Sequence, residues 1–287
     1  MRPALSGDTK VAGVIGDPVR HSLSPALHNA GFAHLGLDWA YVAFEVPAGG
    51  GAGAVAAMRA LGIDGLSVTM PLKAEVVEAC DELSPAAAML GAVNCVRRSG
   101  DRMIGENTDG VGFVNSLRRQ AGVEFAGMHA VVLGGGGAAR AVVAALVSEG
   151  ASVTIVNRSM ESAVRAAELG KAAAAAAGVG SSMSVMVGAP GAVRDADLVV
   201  NATPLGMNAA DPMPVAPEML RRGQMAVDLI YMPAVTPFLE VADEAGAQIL
   251  NGTGMLLFQA AEQFKMWTGR DAPVKAMGAA VGLDIAG

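Results

Sequence analysis

Short apolar runs alternate with amphipathic stretches along the first hundred residues of the chain. Four of these runs predict strands, and they read KVAGVIG, AYVAFEV, DGLSVTM and NCVRR. Helices are expected between them, beginning near Pro25, Gly51 and Leu72. Because strands that alternate with helices build mainly parallel sheets, the pattern predicts an α/β domain in this part of the chain.

A second series of strands and helices begins near Met128. Its strands are expected in HAVVLG, ASVTIVNR, SVMVG, ADLVVNAT and QMAVDLIY. Gly150 is expected to end the helix GAARAVVAALVSEG. The next helix, SMESAVRAAELGKAAAAAAG, closes on an alanine run that we interpret as helix rather than linker, because alanine is the best helix former. The series predicts a nucleotide-binding unit inserted in the chain. The pattern leaves open which domain the helical tail, Thr253 to Ile285, packs on.

Composition narrows the classes of protein and partner. The chain has 287 residues, of which 52% are hydrophobic and 16% charged, so we expect a globular protein with room for two cores. A net charge of −7 and an aromatic content of 4% argue against nucleic acid as a partner. The sequence shows neither an 18-residue apolar stretch nor a signal core, so we expect no membrane association and a cytoplasmic protein.

Cysteine and histidine are too sparse for a disulfide framework or a metal site. Cys80 and Cys95 are interpreted as two partly buried thiols in a reducing cytosol. The four histidines are scattered and form no HExxH motif, so no metal is expected.

Polar residues cluster just after the first predicted strand, in VRHSLSPALHN. Ser24 precedes Pro25, which favours Ser24 as the N-cap of a helix that runs to Gly36. Ligands bind at the carboxyl ends of strands in open α/β sheets, so the same serines are candidates for a binding wall. His21 and His28 are interpreted as framework residues.

The stretch VVLGGGGAAR joins a predicted strand to a predicted helix. Its spacing is Gly134-x-Gly136-x-x-Ala139, in which the first glycine permits a tight turn and the second lets the backbone approach a pyrophosphate. The following helix would offer free N–H groups to the phosphates. We predict dinucleotide binding here, with a purely structural glycine turn as the alternative.

The next strand ends in Asn157 and Arg158, where an NAD-type fold usually carries Asp or Glu. A guanidinium at this place suits a 2′-phosphate and stacks on adenine, which favours NADP. The alternative is a solvated arginine at a strand end, and Glu161 nearby weakens the basic character of the segment.

Seven further segments, taken together, resemble the shikimate dehydrogenase family, which includes the quinate/shikimate dehydrogenases. HSLSPALHN, LSVTMPLK, GAVNC and GENTDGVGF precede the glycine-rich turn, and NATPLGM, VDLIYMPAVTP and NGTGMLLFQAAEQF follow the Asn-Arg strand end. The resemblance extends from about Lys10 to Gly269.

This resemblance implies an α/β fold with two domains. Residues 1–108 plus 253–287 would form the substrate-binding catalytic domain, 109–252 an inserted Rossmann-type NADP-binding domain, with the active site in the cleft between them. It implies reversible, NADPH-dependent reduction of 3-dehydroshikimate to shikimate, in a monomer or homodimer.

The resemblance also assigns roles to individual residues. Lys73 matches the catalytic lysine, which can protonate the ketone oxygen, and Asp109 matches its paired aspartate. Hydrogen-bonding side chains match the substrate positions: Ser22, Ser24, Thr69, Asn94, Tyr231 and Gln259. Cofactor positions match at the pyrophosphate turn (Gly134, Gly135, Gly136, Gly137, Ala138), at the adenosine phosphate (Asn157, Arg158) and near the nicotinamide half (Thr203, Leu229, Gly252).

The chain departs from the family pattern after Arg158. Ser162 stands where NADP-dependent members commonly carry a second basic residue, and Arg165 compensates only if it lies on the same helical face. NADP is therefore expected, with NAD as a second option.

Two alternatives remain beside a biosynthetic shikimate dehydrogenase. One is a catabolic quinate/shikimate dehydrogenase with looser cofactor choice. The other is a non-catalytic dinucleotide-binding sensor, which would tolerate the loss of Lys73 or Asp109, although both residues are present.

Overall fold

The computed structural model describes residues 4–180, 183–208 and 210–285. The chain divides into two compact units: unit 1 is Met1–Gly112 with Leu256–Gly287, and unit 2 is Phe113–Met255. These bounds differ by a few residues from the expected domain limits, and Asp109 lies in unit 1 rather than at the start of the second domain.

Unit 1 is built on a six-stranded sheet. Its elements in chain order are β1 (Lys10–Gly16), α1 (Ser24–Leu35), β2 (Trp39–Glu45), α2 (Gly51–Leu61), β3 (Gly65–Val68), β4 (Glu82–Leu83), α3 (Pro85–Leu90), β5 (Cys95–Ser99) and β6 (Arg102–Glu106), followed by α4 (Asp109–Ala121), which crosses into unit 2. The strand order is β2-β1-β3-β5-β6-β4. β1 pairs in parallel with β2 and β3, whereas β5 is antiparallel to both β3 and β6. The sheet is therefore mixed, because β5 runs antiparallel to both of its neighbours, one of which is the unpredicted strand β6.

Two local predictions in unit 1 are wrong. No α-helix begins near Leu72, because the Lys73 carbonyl accepts a hydrogen bond from the Val93 N–H. The Val77 N–H donates to the Ala74 carbonyl, and the segment forms only a short 3-10 helix, Val77–Ala79. Ser24 is the first residue of α1 rather than its N-cap, and its own N–H donates to Ser22 Oγ at 3.2 Å. The predicted end of this helix at Gly36 is confirmed by a left-handed φ of 63°.

Unit 2 is a doubly wound parallel sheet. Its elements are β7 (His129–Leu133), α5 (Gly137–Ser148), β8 (Ser152–Val156), α6 (Met160–Ala176), β9 (Val185–Val187), β10 (Leu198–Asn201), β11 (Met225–Asp228), α7 (Pro237–Glu244) and β12 (Gln248–Leu250). The strands are all parallel and lie in the order β9-β8-β7-β10-β11-β12. The chain fills the sheet from β7 outward to β9 and then continues on the other side of β7 with β10, which is the Rossmann arrangement. The alanine run is helical to Ala176, as expected from the sequence.

The tail forms α8 (Thr253–Thr268) and α9 (Val274–Ala279). Phe264 of α8 and Met277 of α9 are fully buried in one cluster with Phe32 of α1, so the tail packs on unit 1. That cluster also holds Trp39 and Tyr41, whereas alanine and valine from β7, α5 and α6 dominate the largest cluster of unit 2. Within the described residues, no helix is long and apolar enough to cross a membrane.

Candidate active site

An ion pair marks the carboxyl edge of the unit 1 sheet. Lys73 lies five residues beyond the end of β3, in a run of turns, and its Nζ is 2.5 Å from Oδ2 of Asp109, the first residue of α4. The Lys73 side chain is 25% exposed, but that of Asp109 only 8%. The pair therefore presents an accessible ammonium over a nearly buried carboxylate.

Neighbouring amides hold Asp109 in place. Its second oxygen, Oδ1, accepts from Asn94 Nδ2 at 2.7 Å, and its backbone N–H donates to the Asn107 side chain. Asn94 cannot rotate its amide freely, because its Oδ1 accepts the backbone N–H of Thr108 at 2.8 Å. Both carboxylate oxygens of Asp109 are thus occupied by fixed donors, and the ammonium of Lys73 keeps further N–H groups for a ligand.

A buried polar network lies beneath this pair, and we define it as Tyr41, Ser67, Gln263 and Gln259. The Tyr41 hydroxyl donates to Ser67 Oγ, Ser67 donates to Gln263 Oε1, and Gln263 Nε2 donates to Gln259 Oε1, at 2.6, 2.5 and 2.6 Å. Burial raises the pKa of Tyr41, so its hydroxyl remains a donor. Only Gln259 of these four residues was expected from the sequence, although Gln263 follows it by one helical turn.

Two glycines allow the elements of this site to approach one another. A Cβ on Gly112 of α4 would lie 2.6 Å from the backbone nitrogen of Gln259 on α8, so only glycine permits this crossing. At the end of β1, a Cβ on Gly16 would lie 2.4 Å from Thr69 Cγ2. The absence of a side chain at Gly16 therefore lets Thr69 pack closely against the end of β1.

The remaining predicted substrate residues fall into two groups. Ser22 and Ser24 follow β1, and Thr69 follows the neighbouring parallel strand β3, so all three lie at one edge of the unit 1 sheet with Lys73. Ser24 is 4% exposed, whereas Ser22 and Thr69 are partly exposed. Tyr231 lies in unit 2, after β11, and burial raises its pKa, so its hydroxyl also stays protonated.

In unit 2 the glycine-rich turn connects β7 to α5 at the point where the strand order reverses. Gly134 has a φ of 123°, and a Cβ there would lie 2.9 Å from the Ala202 carbonyl oxygen at the end of β10. A Cβ on Gly135 would lie 2.9 Å from Asn157 Nδ2. Gly134 therefore requires glycine, because it combines a positive φ with a close backbone contact, whereas a side chain at position 135 would have to displace Asn157 and Ser162.

Gly136 and Gly137 are different, because they are exposed and a Cβ on either would meet nothing within 4 Å. α5 begins at Gly137, and the first intrahelical bond here runs from the Arg140 N–H to the Gly136 carbonyl. The N–H groups before Arg140 have no intrahelical acceptor. An open backbone, free N–H groups and the positive end of a helix dipole fit a pyrophosphate.

Arg158 lies between β8 and α6 and is exposed. Ser159 caps α6 by accepting from the Ser162 N–H, so Arg158 stands beside a second helix N-terminus. The guanidinium of Arg165 pairs with Glu161 and contacts Ser162 Oγ at 3.1 Å. The acidic side chain near Arg158 is therefore neutralised within its own helix, and these groups fit a phosphate on the adenosine ribose.

The predicted nicotinamide-half residues follow neighbouring strands. Thr203 comes after β10, Leu229 after β11, and Gly252 after β12, and a Cβ on Gly252 would lie 2.1 Å from the Leu229 carbonyl oxygen. Asp228 fixes this edge: its buried carboxylate accepts from Thr236 Oγ1 at 2.6 Å and from Asn201 Nδ2 at 3.1 Å. Burial raises the pKa of Asp228, and sequence reasoning missed this residue because nothing but a strand end marks it.

Both cysteines are free, and burial raises the pKa of Cys80 to about 11 and that of Cys95 well above its usual value. Within the ranges that the structure describes, no three His, Cys, Asp or Glu side chains gather as metal ligands do.

Comparison with known proteins places the whole chain in one family. Residues 14–96 match the model of the shikimate dehydrogenase substrate binding domain, and residues 252–281 match that of the shikimate 5′-dehydrogenase C-terminal domain. The shikimate dehydrogenase (NADP(+)) of Methanopyrus kandleri is 44% identical over 283 residues, 97% of each chain.

Two solved structures extend the comparison. The shikimate 5-dehydrogenase of Thermus thermophilus, in complex with NADP(H) and shikimate, has a TM-score of 0.84 at 34% identity and covers 94% of this chain and 98% of its own. The quinate dehydrogenase of Corynebacterium glutamicum, in complex with NAD, also reaches 0.84 but at 28% identity, with 95% and 98% coverage. The resemblance seen in the sequence motifs is confirmed, and the chain belongs to the shikimate dehydrogenase family.

Proposed function

We propose that this protein catalyses the reversible, NADPH-dependent reduction of 3-dehydroshikimate to shikimate, a CH–OH oxidoreductase reaction of aromatic amino-acid and chorismate biosynthesis. The observation that carries the proposal is the Lys73–Asp109 pair at the sheet edge of unit 1, within a chain that is 44% identical to an NADP-dependent shikimate dehydrogenase.

The chemistry needs a proton donor beside a ketone. The nicotinamide, when bound, supplies the hydride. Negative charge would develop on the carbonyl oxygen when the ketone is reduced, and the Lys73 ammonium would stabilise that charge and donate a proton to the oxygen. Asp109, fixed at 2.7 Å from Asn94 Nδ2, orients the ammonium and accepts a hydrogen bond from a substrate hydroxyl. In the reverse direction Lys73 receives the hydroxyl proton.

Substrate recognition rests on hydrogen-bonding side chains at the same edge. Ser22 and Ser24 donate to the substrate carboxylate, and Thr69 and Gln259 bond its hydroxyls. Asn94 is only 2% exposed and directs its amide hydrogens to Thr108 and Asp109, so it contributes by orienting Asp109. Tyr231, which belongs to unit 2 as the proposed cofactor residues do, carries a further hydroxyl donor.

NADP is the cofactor that fits the charged groups of unit 2. Gly134 to Ala138 hold the pyrophosphate, Asn157 and Arg158 the adenosine phosphate, and the nicotinamide half is held by Thr203, Leu229 and Gly252. The pairing of Arg165 with Glu161 offsets the acidic residue that weakened the NADP prediction. NAD remains a second option, since the position of Ser162 still lacks a positive charge.

A four-way kinetic comparison tests the proposal. kcat/KM is measured for shikimate and for quinate, each with NADP and with NAD. We expect the highest value for shikimate with NADP. A preference for quinate would favour the catabolic alternative, and no turnover with any pair would favour the non-catalytic sensor.

We further infer that the protein works in the cytoplasm, since its two free, protonated thiols suit a reducing compartment. Its state as a monomer or homodimer stays a prediction that light scattering can test.

A further inference from the structure

Gln263 is a fully buried amide at the centre of the unit 1 site. It lies on α8, one turn beyond Gln259, and its side chain has four polar partners. These are Ser67 Oγ at 2.5 Å, Gln259 Oε1 at 2.6 Å, Thr108 Oγ1 at 3.2 Å and the Asn94 carbonyl oxygen at 3.3 Å. Gln263 lies within the segment NGTGMLLFQAAEQF, but neither the sequence motifs nor the proposed mechanism gives it a role.

The orientation of the Gln263 side-chain amide is fixed by a neighbour that can only accept a hydrogen bond. A backbone carbonyl only accepts, so the amide nitrogen of Gln263 must face the Asn94 carbonyl oxygen. Its oxygen then faces Ser67, whose hydroxyl donates to it and accepts from Tyr41. Each donor in the buried polar network therefore points the same way.

This order determines what Gln259 offers to a ligand. Its Oε1 already accepts from Gln263 at 2.6 Å, and its Nε2 donates one hydrogen to the Leu256 carbonyl at 2.9 Å. The second hydrogen on Nε2 remains. Gln259 thus presents an N–H donor, and the group that it recognises on a substrate must be an oxygen acceptor.

Other partners of Gln263 have independent support. The Asn94 carbonyl also accepts from the Val68 N–H at 2.8 Å, and the Asn94 amide is held by the Thr108 N–H. By contrast, the only other donor to Gln259 Oε1 among the described residues is Asn94 Nδ2, at 3.5 Å. Removing the Gln263 amide should therefore release Gln259 before it disturbs Lys73 and Asp109.

We propose that Gln263 is a positioning residue for substrate recognition, which holds Gln259 with its N–H toward the substrate. The inference depends on the proposed function only in using shikimate as the probe.

The kinetic test is Gln263→Met, which keeps the length of the side chain and removes its hydrogen bonds. We expect KM for shikimate to rise about tenfold, as for the loss of one oriented hydrogen bond, and kcat and KM for NADP to change less than about twofold. Gln224→Met is the matched control, because Gln224 is another buried glutamine, 2% exposed and bonded to Val193 and Ala196 carbonyls in unit 2. It should lower thermal stability without changing KM.

A second variant separates positioning from general loosening of the core. In a Gln259→Ala background, Gln263→Met should raise KM no further, because the side chain that it positions is already absent. An equal rise in that background, an unchanged KM in the single variant, or a fall in kcat alone would each overturn the proposal.

A measurement without turnover keeps the inference separate from the proposed function. In NMR spectra of the free protein, the Gln259 side-chain amide hydrogen that is bonded to the Leu256 carbonyl should exchange slowly with water. In Gln263→Met that hydrogen should exchange faster, and in Gln224→Met its exchange should not change. Slow exchange in all three proteins would contradict the proposal even if shikimate were not a substrate, whereas an inactive wild type with the expected exchange would overturn only the function.

Discussion

The two units build their candidate sites from different parts of the chain. In unit 1 the site is made of side chains that bond to one another: Asp109 forms an ion pair with Lys73 and accepts a hydrogen bond from Asn94. In unit 2, the predicted pyrophosphate site is backbone, offered by a glycine turn whose positions 136 and 137 have open space around them.

This difference predicts opposite sensitivities. The unit 1 site should fail when a side chain is removed, because each polar group leaves a buried partner without a bond. The unit 2 site should fail when a side chain is added, because a methyl group would occupy space that a ligand needs. Substitutions at matched positions can test both halves of this contrast.

Removal of Lys73 should have the largest effect. Lys73→Ala should lower kcat about 10²- to 10⁴-fold, the range for loss of a general acid, and leave the affinity for NADP unchanged. Steady-state kinetics and calorimetric titration measure the two quantities. Lys10→Ala is the control, because Lys10 also pairs with a carboxylate, Asp64, at 3.5 Å but is exposed and away from the site. Turnover like that of the wild type would remove Lys73 from the mechanism.

Addition of a methyl group at Gly136 should come next. Gly136 has an ordinary φ of −77° and open space, so Gly136→Ala should fold normally. The dissociation constant for NADP should nevertheless rise, by up to about a hundredfold if the methyl overlaps the pyrophosphate at a cost near 3 kcal/mol. Gly53→Ala, at an equally open position in α2, should leave the affinity for NADP unchanged and raise stability slightly, because alanine favours the helix more than glycine does. Unaltered NADP affinity in Gly136→Ala would place the pyrophosphate elsewhere.

The same contrast explains how far the sequence could be interpreted. Backbone sites leave a pattern, so Gly134-x-Gly136 between a strand and a helix predicted the Rossmann sheet and the pyrophosphate turn from physical reasoning alone. A lysine after Pro71 carries no such pattern. Lys73 and Asp109 became candidates only through the family resemblance, because their proximity depends on the fold of unit 1.

Long-range bonds account for the failed predictions. The helix expected near Leu72 is absent because the N–H of Val93, twenty residues later in the chain, donates a hydrogen bond to the Lys73 carbonyl. Tyr41, Ser67 and Gln263 escaped notice because the network joins residues up to 196 positions apart. The requirement for glycine at position 112 is likewise long-range, because a Cβ there would meet the backbone of Gln259 on α8.

The cores beneath the sites should also respond differently to acid. His28 is fully buried in unit 1, its ring is stacked on Tyr41 with centroids 4.4 Å apart, and burial lowers its pKa from 6.5 to about 3. As the pH falls below 6.5 the unfolded chain binds a proton at His28 that the folded chain does not, so stability is lost. At about pH 5 the loss is roughly 2 kcal/mol, a factor of about 30 in the unfolding equilibrium.

Amide hydrogen exchange at about pH 7.5 and pH 5 can follow the units separately. His28→Phe should weaken the acid sensitivity of unit 1. It breaks no hydrogen bond that the structure shows, since neither ring nitrogen of His28 has a partner among the described residues. His34→Gln, at an exposed position of α1, should keep the sensitivity of the wild type. If His28→Phe kept it too, another group would be responsible.

Arg158 is the exception to the contrast, because it is a side chain within a backbone site, and its removal should have the smallest effect. Arg158→Ala should raise the dissociation constant for NADP about tenfold, as expected for one charge-assisted bond at an exposed position, and that for NAD less than twofold. Arg119→Ala, exposed on α4, is the control. Equal weakening of both cofactors would mean that Arg158 only stacks on the adenine, and the preference for NADP would then come from the N-terminus of α6.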